Sequence, residues 1–245
     1  NSVSFTDCIC ICIGDPYQFG PVCSTWKERE TSPMSLLNSA FFHTLCGGTT
    51  ITLSRCRRSE GDTLFRIYCK PPPILELRSL LPARAPYADV NLCVSHKFRR
   101  RLIYKIQRDR WDAGDFLNAK TFLGDRRWPH SQRLTVAEGD WLLAQKTIPS
   151  AGLCNGAFVC VSMIENEENE IEVHDPQSEL IIKVPHSRFA ECFLSASCVS
   201  YQVTQGKTIG FGTVGLWQTQ HRFFTPRHLR VALSRATAIS DVYVY

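Results

Sequence analysis

Residues 89–111 read DVNLCVSHKFRRRLIYKIQRDRW. A strand is expected first, over the apolar start of this stretch, and a helix directly after it. Phe98, Leu102 and Ile106 recur at helical spacing, so they face a sheet and leave Lys97, Arg99, Arg100, Lys105 and Arg108 outward. Ser95 stands at the junction, where a serine oxygen can accept from the free amides of the first helical turn. A strand feeding a helix in this way is the unit of α/β architecture. The run Arg99-Arg100-Arg101 has two readings, a solvated charged face or a phosphate-binding one, and the first is the more ordinary.

Working outward, the same organisation extends in both directions with one interruption. Upstream, CICICIGDPYQFGPV (8–22) opens on alternating Cys and Ile, a strand apolar on both faces that belongs inside a covered parallel sheet. A helix is expected over SPMSLLNSAFFHTL (32–45), closed by Gly47-Gly48. TTITLSR (49–55) reads as a short strand, and DTLFRIYC (62–69) as one or two helical turns stopped by Pro71-Pro72-Pro73. From about Leu134 to Pro185 short alternating β runs take over. Asn155-Gly156 is a tight-turn signal there, IENEENEIEV (164–173) is a hairpin with an acidic tip, and the segment as a whole reads as a small β barrel. Then FLSASCVSYQ (193–202), TVGLW (213–217) and DVYVY (241–245) restore buried strands, with a helix around RHLRVALSRA (227–236). No internal repeat or low-complexity tract interrupts the chain.

Composition bounds the partners. With 245 residues, 44% of them hydrophobic, the chain can bury a core as one large domain or two smaller ones. A formal net charge of +5 permits contact with nucleic acid or phosphates without requiring it. No apolar run reaches bilayer length and no signal-type start is present, so no membrane partner is expected. Twelve cysteines occur without a C-x-x-C, and the seven histidines form no ligand set, so metal ligands are expected to be none. Cysteine then acts as a small buried hydrophobe in a reducing, intracellular compartment, nucleus or cytoplasm. A structural protein whose cysteines hold a metal is the rival reading. A strand starting within the first dozen residues, without an initiator methionine, reads as a fragment of a longer protein.

Function is concentrated at strand ends. In open α/β sheets ligands bind beyond the carboxyl ends of the strands, and Gly14, Asp15 and Gln18 come directly after the first one. Glycine lets a backbone come close, a carboxylate can hold a magnesium-bound water, and a glutamine amide can donate to a phosphate oxygen and orient an attacking water. GDPYQFGPV (14–22) resembles motif III of superfamily 1 helicases. Three more segments match that family in order: ITLSRCRRS (51–59) resembles motif IV, SYQVTQGKTI (200–209) motif V, and RVALSRATAISDVYVY (230–245) motif VI. The β segment with LCNGAFV (153–159) is similar to the barrel that the Pif and RecD-like branch inserts in its second motor domain.

The resemblance implies an α/β fold: a RecA-like, P-loop NTPase-like second motor domain over 49–132 and 193–245. An SH3-like β barrel would be inserted at 133–192, and 1–48 would be the end of the first RecA-like domain. It implies ATP and Mg2+ as cofactors, both held mostly by residues outside this chain. Gln18, Arg58 and Arg235 would be catalytic, the two arginines closing on the γ-phosphate, with Arg55 and Arg57 as neighbours that compete with Arg58 for the role. Gly14, Asp15, Gln205 and Gly206 would adjoin the nucleotide, with Gln205 and Gly206 leading from a strand into a helix. Ser95, Thr204 and Lys207 would hold nucleic-acid phosphates at strand-to-helix junctions. Trp141 and Phe158 would stack on bases or fill the barrel core. The partners implied are single-stranded or forked DNA, with RNA left open, and an N-terminal motor domain of the same protein. The activity implied is ATP-driven translocation and unwinding; the alternative is an inactive nucleic-acid-binding or interaction module derived from a helicase.

Two family features are missing. Gly206-Lys207-Thr208 mimics the end of a P-loop, but the first glycine of that motif would fall at Tyr201. The only adjacent acidic pair, Glu167-Glu168, sits in the polar hairpin instead of at a strand end. Gln202 and Val203 stand where relatives of this branch carry histidine and lysine.

Overall fold

The computed structural model describes residues 14–15, 25–26, 29–30, 38–49, 51–52, 62–115, 119–124, 133–165, 167–176, 178–207, 209 and 212–245. The strand expected at 8–13, Gln18 and Arg58 lie outside them. A two-residue antiparallel ladder pairs β1 (Thr25–Trp26) with β2 (Arg29–Glu30). The helix expected over 32–45 is, among the described residues, α1 (Ala40–Leu45), because the Ser39 side chain accepts from the Phe42 amide and so fixes the start. Gly47 and Gly48 end it at positive φ. Ile51 and Thr52, part of an expected strand, carry no regular structure.

Two helices come next, α2 (Asp62–Cys69) and α3 (Ile74–Leu80). The three prolines stop α2, and the last of them then serves as the cap from which α3 starts, a helix not expected from the sequence. The chain continues into β3 (Val90–Cys93) and α4 (His96–Asp112), with Ser95 accepting from the Phe98 amide at 3.3 Å. An antiparallel pair, β4 (Lys120–Phe122) and β5 (Leu134–Val136), leads into β6 (Trp141–Ala144), β7 (Phe158–Glu165), β8 (Glu170–Asp175) and β9 (Leu180–Pro185). Then α5 (His186–Cys192), β10 (Phe193–Ser195), β11 (Cys198–Ser200), β12 (Val214–Leu216), α6 (Pro226–Leu233) and β13 (Val242–Val244) complete the described elements.

Among the described residues β11, β3, β12 and β13 form a parallel sheet in that order. Both of its faces are covered. Val90, Leu92, Val199, Val214 and Leu216 point to one side, against Leu64 of α2, Leu77 of α3 and Leu229 and Leu233 of α6. The alternate positions Cys93 and Cys198 point to the other, against Leu102, Ile103 and Ile106 of α4. Each such buried aliphatic side chain contributes about 1.5–3 kcal/mol, so this double burial, more than any surface ion pair, holds the layers together. The Cys198 thiol donates to the Cys93 sulfur at 3.7 Å, and both fill space as apolar residues do.

Of the residues expected to form a barrel, β6, β7, β8 and β9 join β10, which lies beyond that range, in a five-stranded antiparallel sheet of order β10, β6, β7, β8, β9, while β5 pairs with β4. Its core takes Phe122 and Leu134 from the β4–β5 pair and Phe189 from α5. FLSASCVSYQ, read as one buried stretch, is divided between the sheets. Phe193 to Ser195 pair antiparallel with β6, the chain turns at Ala196 and Ser197, and Cys198 to Ser200 pair parallel with β3. No helix of the described residues is long and apolar enough to cross a membrane.

Candidate nucleotide and nucleic-acid interface

The strand order places the site. The chain runs from β3 to β11 on one side and then crosses to β12 on the other. The connections therefore diverge at the carboxyl ends of β3 and β12, the crevice where open α/β sheets take their ligands. Two groups meet there. From β3 come the Val94 and Ser95 amides, at the start of α4. From β12 comes Gln218, held at φ 57°, whose Oε1 accepts from both amides at 3.0 Å. Its Nε2 donates to the Ser95 hydroxyl at 3.3 Å. A helix N-terminus whose amides are held by one side-chain oxygen is a place where an anionic oxygen can stand instead.

This slot is wired to the turn that follows β11. The Tyr201 hydroxyl donates to the Trp217 carbonyl at 2.9 Å, beside Gln218, and the Thr204 hydroxyl donates to the Tyr201 carbonyl at 2.8 Å. The turn Tyr201–Thr204 is 3-10, with Gln205 and Gly206 after it. The expectation that Gln205 and Gly206 lead into a helix is not met at the described Lys207 and Ile209, which carry no regular structure, and Gly206 before them adopts φ 81°, a left-handed value. Thr204 is fully buried, so its hydroxyl serves the turn. Gln205 is half-buried and Gly206 exposed. Lys207 extends away from the turn, and its ammonium donates to the carbonyl of Gly156, in the Asn155-Gly156 turn. Burial pulls the Lys207 ammonium below its ordinary pKa.

Arg235 closes the turn from behind. It is 1% exposed. Its Nη1 donates to the carbonyls of Thr204, at 3.0 Å, and Lys207, and Nε to that of Val231 at 3.0 Å. Nη2 donates to the Ser234 hydroxyl at 2.7 Å. The structure thus brings Thr204, Gln205, Gly206, Lys207 and Arg235 together, and joins Ser95 to them through Gln218, Trp217 and Tyr201. Asp15 is placed elsewhere, against α2, where it accepts from the Tyr68 hydroxyl; Gly14 beside it is exposed. The end of α2 meets α6, Arg230 donating to the Cys69 carbonyl at 3.4 Å. Of the two aromatic residues expected to stack or to fill the barrel core, Phe158 is buried and Trp141 packs beside it, but in the core of the parallel sheet and not in that of the antiparallel one.

Sequence reasoning missed Gln218 and Asn91. Asn91 is fully buried at the centre of the sheet. Its Nδ2 donates to the carbonyls of Ala88 and Ser197, and its Oδ1 accepts from the Trp217 indole at 2.7 Å. A polar residue inside an apolar strand run was the available signal.

The start of α6 carries a proton-sensitive contact. His228 Nδ1 accepts from the Thr225 amide at 3.1 Å, and its ring stands edge-on to Tyr201 at 5.3 Å. Burial, with His221 nearby, lowers its pKa from 6.5 to about 4. The unfolded chain therefore binds the proton first. Stability is full above pH 6.5 and declines as pH falls from 6.5 to about 4. A His228→Gln chain is expected to lose much of the stability change in that window, measured as urea midpoints against pH; an unchanged profile would remove the assignment.

A parallel sheet covered on both faces, its connections diverging at a carboxyl-end crevice, is the arrangement of a RecA-like α/β domain. No family model matches the chain and no curated protein matches its sequence. Solved structures do match its fold, Pif1 helicases among them. The Bacteroides Pif1 helicase in complex with ADP-AlF3 and ssDNA superposes with TM-score 0.57 at 17% identity, covering 94% of this chain and 60% of that one. The Candida albicans Pif1 helicase gives TM-score 0.56 at 15% identity, with 94% and 62% covered. A structure of two coordinating Pif1 helicases at forked dsDNA gives 0.53 at 19%, with 94% and 59% covered. The chain has the fold of that part of a Pif1 helicase, and spans about three-fifths of the length of these proteins.

Proposed function

We propose that this chain is the portion of an ATP-dependent superfamily 1 helicase that completes the nucleotide site and carries part of the path for single-stranded nucleic acid. In this reading residues 1–48 end a first RecA-like domain, 49–132 and 193–245 form the second, and 133–192 form an inserted SH3-like barrel. The observation that carries the reading is the connected network from Ser95 through Gln218, Trp217, Tyr201 and Thr204 to Arg235 at the switch point of the sheet. It ties a helix N-terminus suited to a phosphate oxygen to the turn and arginine that motifs V and VI supply, so movement at one is felt at the other.

The donors at this edge, amides, an ammonium and a guanidinium, are held by Gln218 and by the carbonyls of Gly156, Thr204 and Lys207, and would suit anionic oxygens that displaced those acceptors. Among the described residues no group of three His, Cys, Asp or Glu side chains converges as a metal site. In this reading the chain meets a triphosphate from one side, and ATP and Mg2+ would be held mainly by the first motor domain. Arg58 would meet the γ-phosphate when the domains close, joined by Arg235 only if its guanidinium is released from the carbonyls of Thr204 and Lys207, with Gln18 orienting water. Gly14, Asp15, Gln205 and Gly206 would flank the nucleotide. Ser95, Thr204 and Lys207 would line the strand path, Thr204 through the backbone it holds.

The reading supports single-stranded or forked DNA as partner, in a reducing, intracellular setting. The intact protein is expected to hydrolyse ATP with stimulation by a single-stranded oligonucleotide, and this chain alone to hydrolyse none, lacking a G-x-x-x-x-G-K-[ST] loop. ATP turnover by the purified chain would overturn the division of the site. Oligonucleotide binding by the intact protein without any ATP turnover would replace the motor with a motor-derived binding module.

A further inference from the structure

The outer side of α4 carries a feature that the nucleotide site does not use. A groove of about 490 Å³ runs between α4 and the β4–β5 pair. Arg100, Tyr104, Arg108 and Trp111 line it from the helix, and Arg133 from the opposite wall. Positions 100, 104, 108 and 111 are spaced four, four and three apart, so they form one stripe in which guanidinium and ring alternate. Tyr104 is 69% and Trp111 66% exposed, an unusual placing for two large aromatic side chains on one helix face. They stand about 10 Å apart along the axis at the helical rise per residue.

Among the described residues no acidic side chain lines the groove. Asp109, next to Arg108, contacts it at 3.4 Å as an exposed pair, and also accepts from the Tyr87 hydroxyl. An exposed ion pair of this kind exchanges readily for a phosphate. Thr121 and Thr135 face each other at 3.0 Å across the β4–β5 pair and add hydroxyl donors to the far wall.

We propose that this groove is a second binding surface for single-stranded nucleic acid, separate from the motif V path. Three guanidiniums along one channel match a phosphodiester backbone. The interleaved rings match unstacked bases, whose faces a single strand exposes and a duplex hides. The surface lies along the same helix whose N-terminus at Ser95 borders the crevice. A strand leaving the crevice could therefore track α4 for its whole length.

The test uses the intact protein and a fluorescein-labelled oligothymidylate, with binding monitored by anisotropy across a series of NaCl concentrations. The triple variant Arg100→Gln, Arg108→Gln, Arg133→Gln is expected to bind about tenfold more weakly or worse. The slope of log affinity against log salt should fall by about 2, at about 0.7 per lost phosphate contact. The double variant Tyr104→Ala, Trp111→Ala is expected to lose about thirtyfold or more with the slope unchanged, since stacking releases no counterions. All five side chains are solvent-facing, and matching circular dichroism and unfolding midpoints verify that each variant is folded. If the parent binds and both variants bind equally well, the groove is excluded while the proposed function stands. If the parent binds no oligonucleotide, both fall. Tighter binding to a blunt duplex, with the aromatic variant silent, would also overturn the inference.

Discussion

An Arg235→Met chain is expected to unfold in urea with a stability about 3 kcal/mol below that of the parent, before any nucleotide is present. The guanidinium is almost wholly buried and spends its donors on the carbonyls of Thr204, Lys207 and Val231 and on the Ser234 hydroxyl. Methionine fills similar space but donates nothing, so the carbonyls of Thr204 and Val231 keep only the Lys207 amide and the Ser234 hydroxyl, and the clasp between the turn and α6 is lost. Hydrogen bonds from a charged donor are worth about 1.5–3 kcal/mol each, and partial rearrangement of the turn recovers some of the sum. For a chain of this size the melting temperature should fall by about 6–12 °C.

Arg235→Lys should recover part of the loss, since an ammonium reaches one carbonyl but cannot span the fork between Thr204 and Lys207. The structural and phosphate-facing roles then separate by temperature. In the intact protein at a temperature where Arg235→Lys is fully folded, ATP turnover should still be depressed, because the planar fork is what a transferred phosphoryl group requires. Parent-like stability in the methionine variant would mean the network is dispensable. Parent-like turnover in the folded lysine variant would remove the phosphate role.

What the chain disclosed by sequence depends on the range of the interactions concerned. The strand and helix of 89–111 were readable because period and cap are local: Ser95 caps three residues ahead, and Leu102 and Ile106 keep to the helical repeat. The tight turn at Asn155-Gly156 was readable for the same reason. Gln218 was not, because its partners lie 123 and 124 residues away and nothing around it is patterned. Helix α3 hid behind Pro71-Pro72-Pro73, which read as a stop and serve equally as a start. The expected helix after Gly206 is absent at the described Lys207 and Ile209, and the left-handed angle of the glycine before them is not something composition reveals. The stripe on α4 was visible as charge, yet only the opposite wall with Arg133 turns a charged face into a groove.

The second large effect is expected from Gly215→Val, at the middle of β12. A Cβ there would lie 2.7 Å from the Asn91 Oδ1, 2.8 Å from a ring carbon of Tyr245 and 3.0 Å from the Ala88 Cβ. None of the three can retreat freely. Asn91 is fixed by its bonds to Ala88, Ser197 and Trp217, and the Tyr245 ring is stacked on Trp217 with centroids 4.3 Å apart. Overpacking so constrained a site costs about 3 kcal/mol, and Gly215→Ala should cost a smaller share of it. The displacement passes along the strand: Trp217 moves with its two partners, and Gln218 is the very next residue. The Val94 and Ser95 amides then lose their acceptor, so the crevice should change even in molecules that remain folded. The measurements are the urea midpoint with its slope unchanged, and a red shift of tryptophan emission in the native state. If valine at 215 left both where they were, the close packing of Asn91, Trp217 and Tyr245 could not be what sets the position of Gln218.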